Sequence, residues 1–209
     1  DDCEGWLIGE QGGGLKCMFK MMNEARIAVG VQGAATAGLA YLRAVNYAKE
    51  RVQGTRIQDM RKADAERVAI IEHPDVRRNL LHMKAISEGS RALMLYAAAC
   101  FDRAEVAADE KERTKWMHQV EILTPIVKAF LTEVGFEATN EGVQVFGGHG
   151  YIREWGMEQY VRDARITMIY EGTNGIQSLD LVGRKLAQNG GKAIMAFFDM
   201  IKAYIKDNA

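Results

Sequence analysis

Apolar residues recur at helical spacing along most of this chain and almost nowhere alternate as in a half-buried strand. Between Met18 and Glu50 there is no proline and alanine and leucine are frequent. Ala25, Val29, Gln32, Thr36, Leu39 and Arg43 mark successive turns there, which predicts one long helix. Gly30, Gly33, Ala34, Ala37 and Gly38 are small enough to let a neighbouring helix come close, although each glycine costs a helix about 1 kcal/mol relative to alanine. Arg51 to Glu72 is polar and aperiodic and reads as a long connection, of a kind usually functional or disordered. Pro74, favourable in a first turn, opens a second helix carried by Met83, Ile86, Leu93, Ala97 and Cys100 to about Arg103.

The third helix begins after Asp109 and has the clearest period: Trp116, Val120, Leu123, Val127, Phe130, Val134 and Ala138 step by three or four. Pro125 falls inside it and predicts a local kink or one missing backbone bond, not two helices. Gly147 and Gly148 form its glycine stop. A fourth helix is expected from about Asn174 to Leu186, and a fifth after Asn189-Gly190-Gly191, beginning with Ala193-Ile194-Met195 and Phe197-Phe198. At the other end Gly5-Trp6-Leu7-Ile8-Gly9 is strand-like and Gly12-Gly13-Gly14 is a break, so residues 1–14 read as a linker. The expected fold is all-α: a four-helix-bundle-like domain over 15–209 with extra C-terminal helices.

Composition narrows the function classes. The 209 residues suffice for one domain with a substantial core, and 26% charged against 48% hydrophobic residues describes a soluble globular protein. A formal net charge of -1 gives no general attraction for nucleic acid or an anionic membrane, and charges interrupt every apolar stretch short of a membrane span. Cys3, Cys17 and Cys100 are odd in number and far apart, and His73, His82, His118 and His149 share no helical metal-binding spacing, so neither a disulfide framework nor a metal site is expected. Free thiols fit a reducing compartment, such as a bacterial-type cytoplasm.

Chemistry concentrates in Arg162-Asp163-Ala164-Arg165-Ile166-Thr167-Met168-Ile169-Tyr170-Glu171-Gly172-Thr173-Asn174-Gly175-Ile176-Gln177, where an apolar run leads to one carboxylate and then to a new helix. Gly172 lets a ligand approach the backbone, and Thr173 and Asn174 are good N-cap types. On the residues alone Glu171 is either a cap for that helix or a base in a water-poor pocket with no cation adjacent in sequence. Arg162, Asp163 and Arg165 suggest an internal ion-pair network. Arg51 reads as a solvated charge at a helix end, and His73 as a helix-entry residue before Pro74.

Tyr170-Glu171-Gly172-Thr173 resembles the catalytic loop of the acyl-CoA dehydrogenase family. Gln144-Val145-Phe146-Gly147-Gly148-His149-Gly150-Tyr151 resembles that family's Gln-x-x-Gly-Gly-x-Gly flavin-contact motif, and Asn23-Glu24-Ala25-Arg26 the start of its first C-terminal helix. The resemblance covers nearly the whole chain and implies the C-terminal helical domain of an FAD-dependent enzyme, with residues 1–14 leading out of a β-domain that this chain lacks. The long Arg51–Glu72 insertion and the Glu-Gly-Thr-Asn-Gly-Ile-Gln form look closest to the branch that includes 3-(methylthio)propionyl-CoA dehydrogenase.

What the resemblance implies is specific. Glu171 would take the α-proton of an acyl-CoA thioester. Arg51, with Gln53 beside it, would hold the flavin pyrophosphate, and His73, Gln144, Gly147, Gly148, Thr173 and Gly175 would also meet FAD. Asn23, Arg26, Tyr170 and Gly172 would meet the acyl-CoA or support the base. Gly54 stands where the family has Phe, which removes a stacking partner on the adenine side. Flavin sites shared between subunits would imply a homodimer or homotetramer, and an electron-transfer flavoprotein is the implied electron acceptor. The alternatives are a non-catalytic helical assembly module and an acyl-CoA oxidase using the same base.

Overall fold

The computed structural model describes residues 2–208, all of whose regular elements are helical. Three long helices form the body: α1 (Gly14–Glu50), α2 (Pro74–Glu105) and α3 (Glu110–Phe146). Residues 3–8 are exposed and form no strand, so the strand-like reading of Gly5–Gly9 is not met. At 1.5 Å per residue, α1 and α3, each of 37 residues, extend about 55 Å.

α1 and α3 run parallel, since Gly30 faces Val127, Gly33 faces Leu131 and Tyr47 stacks on Phe146. α2 returns antiparallel to both. Leu80 and Met83 cluster with Ala44, Ala48 and Phe146 at one end, while Ala97 and Cys100 cluster with Ala34 and Leu123 at the other. The α1–α3 seam is closed by backbone. A Cβ on Gly33 would stand 2.5 Å from the Leu131 carbonyl oxygen, and one on Gly135 would stand 2.6 Å from the Gly33 oxygen. The small residues of α1 therefore do bring helices close.

Asp109 caps α3 by accepting from the Glu112 N–H. Pro125 sits buried inside α3 without dividing it, and the Thr124 hydroxyl beside it bonds back to the Val120 carbonyl. The Arg51–His73 connection is built from two single 3-10 turns and one antiparallel bridge, Val52 to Ala69.

Two departures bear on the site. A helix absent from the sequence reading, α4 (Met157–Thr167), precedes the Glu171 turn. It starts where the Trp155 carbonyl meets Arg43 and leads to Tyr170, which bonds Gln32; its 11 residues span about 16 Å, the rise of α1 between those two levels. After the turn, α5 (Asn174–Asp180) ends six residues earlier than the expected Leu186 and passes into a π-turn over Leu181–Lys185. α6 (Lys192–Asp207) follows a kink at Asn189-Gly190-Gly191 and packs Phe197 against the α2–α3 cluster.

Candidate active site

Glu171 has φ = +54°, the left-handed region, which costs a non-glycine residue about 1–3 kcal/mol and persists only where surroundings impose it. The surroundings are hydrogen bonds. Gln177, buried on α5, donates its amide to the carbonyls of both Glu171 and Gly172, at 3.3 and 3.1 Å. The Asn174 N–H reaches back to the Met168 carbonyl at 3.1 Å, and the Tyr170 hydroxyl donates to Gln32 of α1. Thr173 is the N-cap of α5, its hydroxyl accepting from the Ile176 N–H, so the cap role belongs to Thr173 and leaves the Glu171 side chain out of it. Gly172, at φ = +85°, has no room for a side chain: a Cβ there would stand 2.9 Å from the Gln177 amide nitrogen.

Two cations stand behind this turn, from helices distant in sequence. Arg26 of α1 is 3% exposed and pairs with Asp180 of α5 at 3.0 Å; Asp180 is also held by Arg184 at 2.8 Å. An Arg26 nitrogen lies 3.6 Å from the place of a Gly172 Cβ, so Arg26 supports the turn from beneath and offers a substrate almost no surface. Lys128 of α3 is fully buried and donates to the Asn174 side-chain oxygen at 3.0 Å. Burial, and secondarily the Arg26 charge, lowers its pKa to about 8, against the opposing pull of Glu133 and Glu171. Sequence reasoning missed Lys128, although a lysine between Val127 and Leu131 on the apolar stripe of α3 is a signal in itself. Asn23 is half-buried on the wall of a cleft of ≈ 380 Å³ that also reaches Asp180. Gly175 borders a second, of ≈ 430 Å³, between α3 and the start of α5.

The remaining predicted residues gather at the far end of the bundle. Arg51 is exposed just past α1, and its guanidinium donates to the Gln53 side chain at 3.2 Å. His73 donates from Nε2 to the Gln53 carbonyl at 2.7 Å, since a carbonyl only accepts, and its ring packs 3.3 Å from where Gly54 would carry a Cβ. Gln144 lies on the last turn of α3, and Gly147 (φ = +60°) and Gly148 follow it with nothing within 4 Å of their absent side chains. Beside them His149 stacks on Trp155 and meets the Tyr47 hydroxyl at 2.9 Å.

The predicted residues therefore form two groups. The 19 residue steps from Gln32 of α1 to Arg51 at its C-cap separate them by about 28 Å along the helix axis. Arg162, Asp163 and Arg165 belong to neither. All three are exposed on α4; their polar contacts stay within one helical turn, such as Arg162 to Glu158, and Arg165 also lies over the Phe136 ring of α3 at 6.0 Å, so the expected internal ion-pair network does not form among them. Among the described residues no cluster of His, Cys, Asp and Glu could hold a metal, and no helix is long and apolar enough to cross a membrane.

Comparison with known proteins places this geometry. Residues 12–187 match the family described as "Acyl-CoA dehydrogenase, C-terminal domain". The chain is 48% identical over 203 residues to 3-methylmercaptopropionyl-CoA dehydrogenase of Ruegeria pomeroyi, covering 97% of this chain and 34% of that protein. The structure of butyryl-CoA dehydrogenase from Megasphaera elsdenii superposes with a TM-score of 0.67 at 30% identity, over 85% of this chain and 40% of that one. An acyl-CoA dehydrogenase from Bacillus anthracis, solved with FAD, superposes at 0.70 and 28% identity over 85% of this chain and 30% of that one. The chain spans about a third of the length of the curated relative it matches at 48% identity.

Proposed function

The chain belongs to the acyl-CoA dehydrogenase C-terminal domain family, and we propose that it supplies the catalytic base of an FAD-dependent enzyme converting an acyl-CoA thioester to the trans-2-enoyl-CoA. The observation that carries this reading is the Glu171 turn. A single carboxylate is held at a left-handed backbone position by hydrogen bonds from three helices, while its own side chain is spared from capping. Such a frame fixes a base at one place before substrate arrives, which is where positioning contributes most. Glu171 takes the α-proton, and the electron pair left at Cα forms the new double bond to Cβ. FAD, when bound, supplies the acceptor for the β-hydride.

The residues at the far end fit such a cofactor. Arg51 offers an exposed planar guanidinium suited to a diphosphate, and Gly147 and Gly148 offer bare backbone on which a flat ring can lie. The separation of about 28 Å along α1 favours a site shared between chains, with Arg51, Gln53, His73 and Gln144 meeting the flavin of a neighbour while Glu171, Thr173 and Gly175 serve their own. A homodimer or homotetramer follows. Likeness to the Ruegeria protein makes its thioether-bearing short acyl-CoA the first substrate to test, and likeness to a structure described as an electron transferring flavoprotein of Acidaminococcus fermentans supports such a flavoprotein as acceptor.

The test is anaerobic reduction of the flavin-loaded enzyme, comprising this chain with the further domains its relatives carry, by acyl-CoA. Glu171→Gln keeps flavin and acyl-CoA binding and loses reduction. Near-normal reduction by that variant overturns the assignment of the base. Arg51→Ala lowers flavin retention while leaving any flavin that stays bound reducible.

A further inference from the structure

Among the described residues Lys128 is the largest fully buried side chain, and it carries a charge with no carboxylate within 4.0 Å of it. A buried ammonium without a close counter-ion costs stability, so its presence calls for a local role. Its one hydrogen-bond acceptor is the Asn174 side-chain oxygen at 3.0 Å, which the Thr132 hydroxyl also approaches at 3.2 Å. The other half of that amide donates to the Glu133 carboxylate at 2.8 Å and the Ala129 carbonyl at 3.3 Å. An ammonium only donates and a carboxylate only accepts, so these partners fix which way the amide faces. The Asn174 backbone N–H then closes the turn onto Met168, with Glu171 between the two. The charged groups facing Lys128 are Arg26 from α1, Glu133 from α3 and Glu171 from the turn.

We propose that Lys128 is a positioning residue for Glu171: from inside α3 it grips Asn174, and through Asn174 it holds the Met168–Asn174 turn in the conformation that presents the carboxylate. The role deepens the reading of Glu171 as the base and rests on it for its catalytic meaning, but the grip on the turn is a property of this chain alone. An apolar residue of similar length in place of Lys128 removes a buried charge, so the bundle keeps or gains stability while the turn loosens. A residue serving only the core shows the opposite pattern.

The experiment compares wild type, Lys128→Met, Asn174→Ala and the double variant in the flavin-loaded enzyme. Hydrogen exchange followed by mass spectrometry reads the peptide spanning Tyr170–Gln177, thermal unfolding reads the bundle, and anaerobic flavin reduction by acyl-CoA reads chemistry. Lys128→Met is expected to speed exchange in that peptide by about tenfold or more with little change in α1 and α2. It also slows reduction by about ten- to a hundredfold with the acyl-CoA concentration dependence nearly unchanged, since misplacement of a base acts on the rate. Asn174→Ala loosens the turn at least as much, since it also loses Glu133 and the Ala129 carbonyl, and adding Lys128→Met to it changes the rate by less than about threefold, because Lys128 reaches the turn only through Asn174. Lys128→Leu, which also removes the ammonium, takes the place of Lys128→Met if that variant fails to fold. Unchanged exchange at the turn, exchange that rises across all helices together with a lower unfolding temperature, or fully additive effects on the rate each overturn the proposal. If Glu171→Gln retains reduction, the base assignment fails, while the exchange data still judge the grip of Lys128 on the turn.

Discussion

Replacing Gly33 by alanine tests the backbone-to-backbone seam between α1 and α3 with a single methyl group. In an unpacked helix the substitution is favourable by about 1 kcal/mol, because glycine carries the greater conformational entropy when unfolded. Here the new Cβ would lie 2.5 Å from the Leu131 carbonyl oxygen, 2.8 Å from its carbon and 3.0 Å from the Thr132 Cα. None of these atoms can rotate away, so the helices must part by several tenths of an ångström along a close-packed face. Overpacking of this kind costs about 1–3 kcal/mol, and contact with main chain puts it toward the upper figure. The net expectation is a loss of about 1–2 kcal/mol. Gly89 on α2 provides the control, since a Cβ there meets nothing within 4 Å. Gly89→Ala should gain about 1 kcal/mol, which separates the two variants by about 2–3 kcal/mol, or roughly 4–12 °C in unfolding temperature for a domain of this size. Thermal unfolding followed by circular dichroism measures it. Equal shifts of the same sign in the two variants would refute the geometry of the seam. Gly135→Ala should behave like Gly33→Ala, with the double variant costing less than the sum, since one separation relieves both clashes.

Gly172→Ala combines a left-handed backbone with a 2.9 Å approach to Gln177, so it should displace the Glu171 turn and cut flavin reduction by about a hundredfold while leaving the unfolding temperature within a few degrees. Arg26→Met leaves the buried Asp180 with only Arg184 and should cost about 3 kcal/mol in urea unfolding; a loss under about 1 kcal/mol would show the pair to be dispensable. The Lys128 ammonium has a folded pKa of about 8, below its ordinary 10.5, so between those values the unfolded chain binds more protons. Wild-type stability should therefore rise relative to Lys128→Met as pH increases from about 8 toward 10, and be lowest relative to it below 8; a pH-independent difference would show that the buried charge carries no such penalty.

The three long helices are legible in the sequence because each has a proline or aspartate start signal or an unbroken apolar stripe, and Pro125 is tolerated because the stripe continues past it. α4 is not legible for equally local reasons. Only Met157, Ala164 and Thr167 are buried on it, its surface carries Glu158, Gln159, Arg162 and Asp163, and it begins at the left-handed Gly156 without a side-chain cap. Its orientation is imposed by Met157 packing on Gly142 and by Arg43 holding the Trp155 carbonyl, contacts between residues remote in sequence. The site divides in the same way. Glu171 and the glycines following α3 are visible as a motif, and Thr173 is visible as a cap. Arg26 is reached only through the family resemblance and Lys128 not at all, because both cations arrive at Glu171 from helices more than 40 residues away.

The parallel pairing of α1 with α3 also bears on how the chain acquires its structure during synthesis. Gly33 meets Leu131 only after 98 further residues have been made, whereas α2 and α3 are joined by the four residues from Val106 to Asp109 and can pair at once. At roughly 5–20 residues per second, α1 spends about 5–20 s outside the ribosome before its partner exists. The face it exposes in that interval is mostly alanine and glycine, which offers other nascent chains little to adhere to. A seam made of main chain thus delays the gain in stability until α3 arrives and keeps the waiting helix comparatively inert.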